Sequence, residues 1–504
     1  MFRTLKADKD TYVTNRYINS VSVVSGNTGI ASSLDLFKLY AMTLLGSGTN
    51  KHPVTELSRM FVHFDLEPLR ELVDSGKVDL DHYSFKCHLN LKDVYGGQTT
   101  PSKFTVAVFP LSASFDEGLG KDVVYYSDKD KSNFLSASST SAWFVSGCGL
   151  AGNSTSLVDY ITSSPSIQST KITQYFPKGT EDLLVDVTAI VSATLTSEIP
   201  DQGFRISLDE IQETDQFSYF VKRFGSRQTY DESKHPRLFV RFDDSIADDT
   251  ANFTLDVNSN LFLYNYVNGE LKNLVSASAD VAGDNCLILK LQTIVSGVGN
   301  YSLYFTGSQY KQGKNYLSGV YYAAATVPLT DANIKTYYNA SGSVKFTPIW
   351  QSFDSTLAYV TGSKVTARAP ERLSKRLSPR RYTIGVIGIS TEYLENETVA
   401  MRVNVFDDNS PIIKAQRLPI ELPGLVIRNS HYAIRDNTTG EYAIPFDTAY
   451  NSTRLSSDSD GMYFNFNTSA LVPQREYVID IMLVVDGMQH KYLDASPVFR
   501  VRKF

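Results

Sequence analysis

Acidic and histidine side chains are concentrated in one short stretch, Phe224–Asp244, with the sequence FGSRQTYDESKHPRLFVRFDD. The residues of this cluster that could transfer protons or hold a metal ion are Asp231, Glu232, His235, Asp243 and Asp244. General acid–base catalysis needs such groups gathered in a cleft within reach of a substrate. Leu238, Val240 and Phe242 alternate with other residues directly after the turn, which is typical of a half-buried strand. We therefore predict an architectural turn and strand, and no reaction centre.

Two glycine-rich motifs imitate nucleotide-binding sites. GCGLAG at Gly147–Gly152 matches the G-x-G-x-x-G pattern, but no long amphipathic helix follows and no parallel βαβ alternation occurs in the chain. We predict a flexible glycine loop there.

In the second motif, GSQYKQGKN, five residues rather than four separate Gly307 from Gly313, and Asn315 stands where a phosphate loop has Ser or Thr. This segment is predicted to be a hairpin connection.

Hydrolytic and metal chemistry also lack a suitable pattern. Asp116 and Glu117 are adjacent and point in different directions, whereas a glycosidase needs two carboxylates that face each other across the sugar bond. A solvated loop is predicted there. The histidines, which lack zinc-ligand spacing, are His52, His63, His82, His88, His235, His431 and His490. No G-x-S-x-G elbow accompanies them. We expect neither an enzyme nor a cofactor, although loop oxygens can hold a calcium ion without tight spacing.

A basic segment lies in the second half of the chain, in TARAPERLSKRLSPRRY. Its cations, together with the preceding Lys364, are Arg368, Arg372, Lys375, Arg376, Arg380 and Arg381. Only Glu371 opposes them, and only Tyr382 is near enough to stack on a base, so specific nucleic-acid binding is the weakest interpretation. A solvated linker and a contact with an acidic neighbouring subunit are the alternatives. We predict these residues, from Arg368 to Arg381, as partner contacts.

The bulk composition bounds the fold class. The chain has 504 residues and a net charge of −6, so two to four domains are expected. Tyr (30) and Phe (28) are plentiful whereas Trp (2) is scarce, a mixture that favours strands. Cys87, Cys148 and Cys286 lie too far apart for a disulfide framework or a zinc site. No apolar run has signal-peptide or membrane length, so we expect folding in the reducing cytoplasm and no membrane partner.

Period-two alternation is the dominant pattern, and it predicts antiparallel strands throughout the chain. In YSFKCHLNLK, one face is predicted to carry Tyr83, Phe85, Cys87, Leu89 and Leu91. Other predicted inward-facing sets are Met60, Val62 and Phe64; Met401, Val403 and Val405; and Tyr477, Ile479, Ile481, Leu483 and Val485. Short helices are predicted at EPLRELVDS and at DVTAIVSATL, the second capped by Asp186 or Thr188.

The strand-rich stretches divide the chain into an all-β series of domains. We predict a first domain at 1–245, a β-sandwich at 246–367, a basic linker at 368–381 and a β-sandwich at 382–504. NYSLYFTGSQYKQGKNYL and EYVIDIMLVVDGMQHKYL align without a gap, because Tyr301 and Tyr477 share one offset with Tyr316 and Tyr492. Each segment predicts strand, turn, strand. We interpret the last two domains as related immunoglobulin-like sandwiches.

The first domain resembles a known module. DTYVTNRYIN, RMFVHFDLEPL, LLVDVTAIV, GFRISL and FGSRQTYDESKHPRLFVRF follow in this order a pattern similar to the DNRLRE-type jelly-roll module, related to carbohydrate-binding sandwiches. The resemblance implies an N-terminal jelly roll over 1–245 in which the segment that begins at Pro236 is the closing strand. Arg227 and Gln228 stand where the family often carries an acid, so the resemblance implies no particular sugar site.

The whole chain is similar to virion structural proteins of tailed bacteriophages, especially contractile-tailed ones. The segments that carry this resemblance are MFRTLKADKDTYVTNRYIN, LDLFKLY and SAWFVSGCGL. It implies a tail or baseplate component that is assembled in the host cytoplasm and acts through protein–protein assembly with other virion proteins, in symmetric multi-copy fashion. The alternatives are a carbohydrate-binding adhesin that recognises a host surface glycan, and a head or neck decoration protein.

Overall fold

The chain forms an all-β protein, as predicted. The computed structural model describes residues 1–18, 21–44, 51–94, 97, 99–121, 128, 130–150, 158–276, 279–295, 297, 299–370, 381–408, 425–485 and 487–503. The chain divides into two compact units. The jelly-roll unit comprises Arg3–Leu72 and Phe85–Arg241, and the C-terminal unit comprises Met1–Phe2, Val73–Ser84 and Phe242–Phe504.

The N-terminal part of the chain contains twelve described strands and three short helices. The strands are β1 (Phe2–Thr14), β2 (Tyr17–Ile18), β3 (Val21–Ser22), β4 (Ser33–Leu44), β5 (Lys51–Phe64), β6 (Lys86–Leu91), β7 (Phe104–Pro110), β8 (Ile172–Phe176), β9 (Leu183–Asp186), β10 (Phe204–Leu208), β11 (Tyr219–Gly225) and β12 (Arg237–Arg241). The helices are α1 (Glu67–Asp74), α2 (Thr188–Leu195) and α3 (Glu210–Thr214). Both predicted helices are present, but the predicted cap of α2 is wrong: Val187 is the N-cap and makes no side-chain cap bond, and the Asp186 carboxylate accepts the N–H of Thr188, the first helical residue.

The ten long strands form a jelly-roll β-sandwich. Their order is β8-β7-β10-β5-β1-β12-β6-β9, and β4 pairs with both β5 and β11. Strand β5 is long enough to pair twice, since residues 51–57 pair with β4 and residues 58–64 pair with β1. The described ladders of this unit are antiparallel, as is usual for strands that alternate between apolar and polar residues.

The predicted inward-facing residues of β5 and β6 are buried, whereas Tyr83, which is predicted on the same face as those of β6, is not. Met60, Val62 and Phe64 are at most 2 % exposed. Phe61 points to the opposite face and is also buried, because it packs against a cluster from the loop after β7 that includes Trp143. The prediction for Tyr83 is wrong, since it is 59 % exposed: β6 begins only at Lys86 and Tyr83 precedes the strand.

The C-terminal unit contains the remaining described strands and one helix. They are β13 (Ser259–Tyr264), β14 (Tyr266–Val267), β15 (Glu270–Leu271), β16 (Val275–Ser276), β17 (Ala279–Asp280), β18 (Leu287–Val295), β19 (Gly299–Gln312), β20 (Asn315–Ala325), α4 (Ala332–Ser341), β21 (Val344–Ser352), β22 (Ala358–Thr361), β23 (Val365–Ala367), β24 (Tyr382–Ile387), β25 (Glu392–Leu394), β26 (Thr398–Asp407), β27 (Ser430–Asp436), β28 (Tyr442–Ile444), β29 (Ser456–Asp458), β30 (Gly461–Asn467), β31 (Glu476–Val485), β32 (Met488–Tyr492) and β33 (Phe499–Arg502).

The first half of this unit is built on one seven-stranded sheet. Its order is β13-β20-β19-β18-β21-β22, with β23 paired to β21. Alternate residues of these strands enter one buried cluster around Leu289, Tyr321 and Trp350. Helix α4 packs against β18 and β21; Asp331 caps its first turn, and Gly342 ends it in the left-handed conformation.

The second half is a sandwich of a four-stranded and a six-stranded sheet. The strand orders are β24-β26-β30-β29 and β25-β33-β31-β27-β28, with β32 paired to β31. The predicted inward-facing residues of β26 are buried, and those of β31 are buried up to Leu483. The last of the predicted set, Val485, is only half-buried, because it lies at the turn into β32.

The acidic segment after β12, SIADDTAN at 245–252, contacts this sandwich; we call it the acidic junction. The Ser457 N–H donates to the Ile246 carbonyl, and Ala247 forms an isolated parallel β-bridge with Ser457 of β29. Asp249 is buried, and both its carboxylate oxygens face the guanidinium of Arg428, at 2.8 and 2.7 Å. These contacts attach the acidic junction to the sandwich formed by β24 to β33.

Both segments of the internal repeat form hairpins, as predicted. Gln312 pairs with Asn315 at the end of β19–β20, and Val485 pairs with Met488 at the end of β31–β32. The equivalent turn positions are therefore 173 residues apart (485 − 312), whereas the ungapped alignment has an offset of 176. The shared tyrosines do not occupy equivalent places relative to the two turns.

Candidate functional site

The turn and the strand predicted at the acid and histidine cluster are present, and the strand is β12. Asp231 accepts the Ser233 N–H and caps a 3-10 helix over Glu232–Lys234. His235 contacts the Thr229 carbonyl through Nε2, and burial lowers the pKa of its imidazole. The following core residues, Leu238, Val240 and Phe242, are at most 5 % exposed. Asp243 and Asp244 belong to the C-terminal unit.

The glycine motif is anchored, so the prediction of a flexible loop is wrong over its described part, 147–150. The Arg59 Nη1 donates to the Gly147 carbonyl at 3.0 Å, and the Arg205 Nε donates to the Cys148 carbonyl at 2.8 Å. Gly147 has a φ of +69°, and a Cβ there would lie 2.3 Å from the Phe134 ring. The glycine serves close packing rather than phosphate binding.

Glu117 is not a solvated residue, contrary to the prediction for its loop. It accepts the Asp10 N–H at 3.0 Å and forms an ion pair with Arg227 at 3.2 Å. The Arg227 N–H in turn donates to the Asp10 carboxylate at 2.6 Å. Burial raises the pKa of Asp10 to about 7, since the bond from Arg227 offsets only part of the desolvation. This trio fastens β1 to two loops.

The basic segment lies largely beyond the described residues. Arg368 and Arg381 are described and exposed. Arg368 is held through its backbone, which bonds to Phe253 and Leu255, and the Arg381 carbonyl accepts from the Asp408 N–H. The predicted contact residues outside the described part of the chain are Arg372, Lys375, Arg376 and Arg380.

A cleft of about 640 Å³ lies in the C-terminal unit, between the seven-stranded sheet and the sandwich that follows it. We call it the tyrosine cleft. The lining side chains used below are Tyr264, Tyr266, Arg402, Asp458, Tyr463 and Asn465. Tyr264 ends β13 and Tyr266 begins β14, whereas the polar residues come from β26, β29 and β30. Strand pairing positions the polar wall, because Arg402 of β26 lies directly opposite Tyr463 of β30.

An ion pair forms the polar wall of the tyrosine cleft. Arg402 donates from Nη1 and Nη2 to the two carboxylate oxygens of Asp458, at 3.0 and 2.7 Å. Its Nη2 also lies 3.8 Å from the Asp460 carboxylate, and its guanidinium carbon lies 5.9 Å from the centre of the Tyr463 ring. The hydrogen bonds that Arg402 donates to Asp458 raise the pKa of Arg402, so this side chain is a fixed cation.

The tyrosines of the cleft differ in exposure. Tyr266 is 62 % exposed, so its ring is open to solvent. The Tyr264 hydroxyl is buried and has no hydrogen-bond partner among the described residues. Burial raises the pKa of Tyr264, and burial with the nearby Asp458 charge raises the pKa of Tyr463 to about 12. Both phenols stay protonated at neutral pH and can donate hydrogen bonds.

Such a wall suits binding rather than covalent chemistry. The wall combines the open ring of Tyr266, the planar Arg402–Asp458 pair and the phenol of Tyr264, which has no partner among the described residues. Such groups recognise a ligand by its shape and by its hydroxyl or amide groups. Sequence reasoning missed the cleft, because its residues come from four separate segments of the chain. The only available signal was the motif YNY at Tyr264–Tyr266 at the end of a strand.

Comparisons add no family: no family model matches the chain, and a search of curated proteins finds no match. Among the described residues, no group of three or more His, Cys, Asp or Glu side chains is placed to hold a metal ion. In the same part of the chain, no helix has the length and apolar character needed to span a membrane.

Proposed function

We propose that this protein is a structural component of a tailed-bacteriophage virion, of the tail or baseplate type, and that it acts through association with other virion proteins. The resemblance of its opening and central segments to such proteins supports this role. The structural observation that carries the proposal is a group of exposed apolar side chains on the jelly-roll unit. We call it the β4 patch, and it comprises Met42, Ile211, Phe217 and Phe220.

Three members of the β4 patch, Ile211, Phe217 and Phe220, lie on the segment from α3 to β11, which is attached to β4, the strand that carries Met42. Lys38 of β4 donates to the carbonyls of Gln212 and Asp215, which anchors the end of α3. The Tyr40 N–H donates to the Ser218 hydroxyl, and the Phe220 ring lies 5.5 Å from the Phe37 ring. The four apolar side chains of the patch are between 43 % and 70 % exposed, although this segment is fixed. A fixed, exposed apolar surface favours a protein interface.

The test is incorporation into particles. A phage that lacks the gene would be complemented with the wild-type chain or with Phe217→Asp, and the chain would be quantified in purified particles. An aromatic anchor of an interface contributes about 2 kcal/mol, so we expect a reduction of roughly 30-fold in binding and a large loss of incorporation. Tyr230→Asp, at a fully exposed tyrosine outside the patch, is the control. Equal incorporation of both variants would refute the role of the patch.

The second candidate function is a carbohydrate-binding adhesin that recognises a host surface glycan. The tyrosine cleft favours it, because an open aromatic ring beside planar polar groups is what recognition of a sugar needs. The two functions are compatible, since a tail component can both assemble and bind the host surface. Binding of a saccharide panel by the full chain tests the second function independently of particle assembly.

A further inference from the structure

We propose that the tyrosine cleft binds a neutral saccharide, with one sugar ring stacked on Tyr266 and its hydroxyl groups at the Arg402–Asp458 pair. This inference rests on the second candidate function and gives it a site and a ligand class. A cleft of about 640 Å³ is within the usual range for small-molecule sites.

The aromatic platform is the first component of the site. Tyr266 is 62 % exposed and Ile387, which also lines the cleft, is 52 % exposed. One face of a pyranose carries C–H groups and packs on such a ring, which removes apolar surface from water without hiding the sugar hydroxyls. Tyr266 lies at the start of the short β14–β15 pair, so the strand pairing fixes its backbone.

The polar pair supplies the second component. Vicinal hydroxyls of a sugar are each a donor and an acceptor, and they match a guanidinium and a carboxylate held side by side. Arg402 and Asp458 are held in this way by two hydrogen bonds. Asn465 lines the same wall and adds an amide with both a donor and an acceptor.

The charges select against anionic ligands. Arg402 is the cation of the wall, and the carboxylates of Asp458 and Asp460 lie within 2.7 and 3.8 Å of its Nη2. Among the described residues that line the cleft, these three ionised groups sum to a net charge of −1, so a sialic or uronic acid would meet repulsion from them instead of an available cation. The predicted ligands are therefore neutral hexoses and N-acetylhexosamines.

The hydroxyl of Tyr264 is the third component. It is buried without a hydrogen-bond partner among the described residues, a state that costs free energy unless a ligand or water supplies the bond. Neighbouring Leu263 enters the core of the seven-stranded sheet, so strand alternation directs Tyr264 away from that core. A sugar hydroxyl satisfies this phenol only when binding opens the cleft wall around it.

The test is calorimetric and NMR titration of the full chain with glucose, galactose, mannose and N-acetylglucosamine, and with sialyllactose as the anionic counterpart. We expect binding of at least one neutral sugar with a dissociation constant on the order of 1 mM, and weaker or no binding of the anionic one. Tyr266→Ala should weaken binding by roughly 5- to 10-fold, because it removes the stacking ring. Tyr304→Ala is the matched control, since Tyr304 is 56 % exposed and lies outside the cleft.

A second variant keeps the cleft shape. Tyr264→Phe removes only the hydroxyl and should weaken binding several-fold, whereas Tyr322→Phe, in the same sheet but outside the cleft, should not. The inference is overturned if no neutral sugar binds at about 50 mM, if only the anionic sugar binds, or if binding is unchanged in both cleft variants. Incorporation into particles is measured separately, so the assembly role can stand while the saccharide site fails.

Discussion

At the scale of single residues, buried cations hold the loops of the jelly-roll unit in place. Lys222 is buried and donates to the carbonyls of Gly179 and Glu181, while Arg59 and Arg205 hold the loop after β7. Each buried cation also needs a counter-charge, since an unpaired ion in the interior is costly. Glu213 provides it for both arginines, at 2.9 Å from Arg59 and 3.7 Å from Arg205.

Replacing that counter-charge should destabilise the unit strongly. Glu213→Gln leaves two buried guanidinium groups without a carboxylate, so we expect a loss of about 3 to 5 kcal/mol in unfolding free energy. Glu210→Gln, at an exposed acid of the same helix, should change stability little. Denaturant unfolding followed by tryptophan fluorescence measures both, because Trp143 packs in the affected cluster. Equal stability of the two variants would contradict the assignment.

The Asp10 trio predicts a pH dependence of opposite sign to that of an ordinary ion pair. Burial raises the folded-state pKa of Asp10 to about 7, above its unfolded value. The protonated Asp10 side chain therefore contributes to the stability of the folded state. This contribution is fully present below about pH 4 and is lost as the pH rises through about 7. Asp10→Asn should remove this loss and stabilise the unit at pH 8 relative to wild type by a few kcal/mol, since one pKa unit is worth about 1.4 kcal/mol.

Thermal unfolding of wild type and Asp10→Asn between pH 4 and pH 8 measures the effect. Asp116→Asn is the control, because its carboxylate lies in the same loop as Glu117 and its side chain is 42 % exposed. A difference between wild type and Asp10→Asn that stays constant over this range would show that Asp10 does not titrate as proposed.

At the scale of elements, one side chain joins the two edges of the ten-stranded sheet. Gln174 of β8 donates from its amide nitrogen to the Asp182 carbonyl and accepts the Leu184 N–H of β9 through its amide oxygen. This pair of bonds replaces a backbone ladder between strands that end the sheet order. Unpaired sheet edges are sites of aggregation, so the bridge protects both strands.

Removing the bridge should expose the amide of Leu184. Gln174→Leu is expected to speed hydrogen exchange across β9 and to cost about 1 to 2 kcal/mol, because two hydrogen bonds are lost. Thr173→Leu, at the exposed neighbouring position on β8, should leave exchange at β9 unchanged. Hydrogen-exchange mass spectrometry of peptides that contain Leu184 compares the two, and unchanged exchange in Gln174→Leu would refute the bridge.

Local sequence patterns predicted the strands well, because their alternation reflects burial directly. Met401, Val403 and Val405 are buried as the pattern indicates, and the β19–β20 hairpin forms where a phosphate loop was rejected. The anchoring of the loops could not be predicted, since the partner of a cation such as Arg59 lies 154 residues away in the chain. The tyrosine cleft was hidden for the same reason.

At the scale of the whole molecule, the chain divides into two compact units, and each has its own core. We expect calorimetry to resolve two unfolding transitions, because cooperative unfolding usually follows compact units. Glu213→Gln should lower the midpoint of one transition only. A single transition that shifts as a whole in this variant would contradict independent units.

The central proposal is a place in the virion, with association as the mechanism and the saccharide site as an addition to it. The most direct test is quantitative mass spectrometry of purified particles separated into head and tail fractions. The proposal predicts that the chain accompanies the tail and baseplate proteins at a fixed copy ratio. Recovery with heads alone would make it a decoration or neck protein, and absence from the particles would refute the virion role.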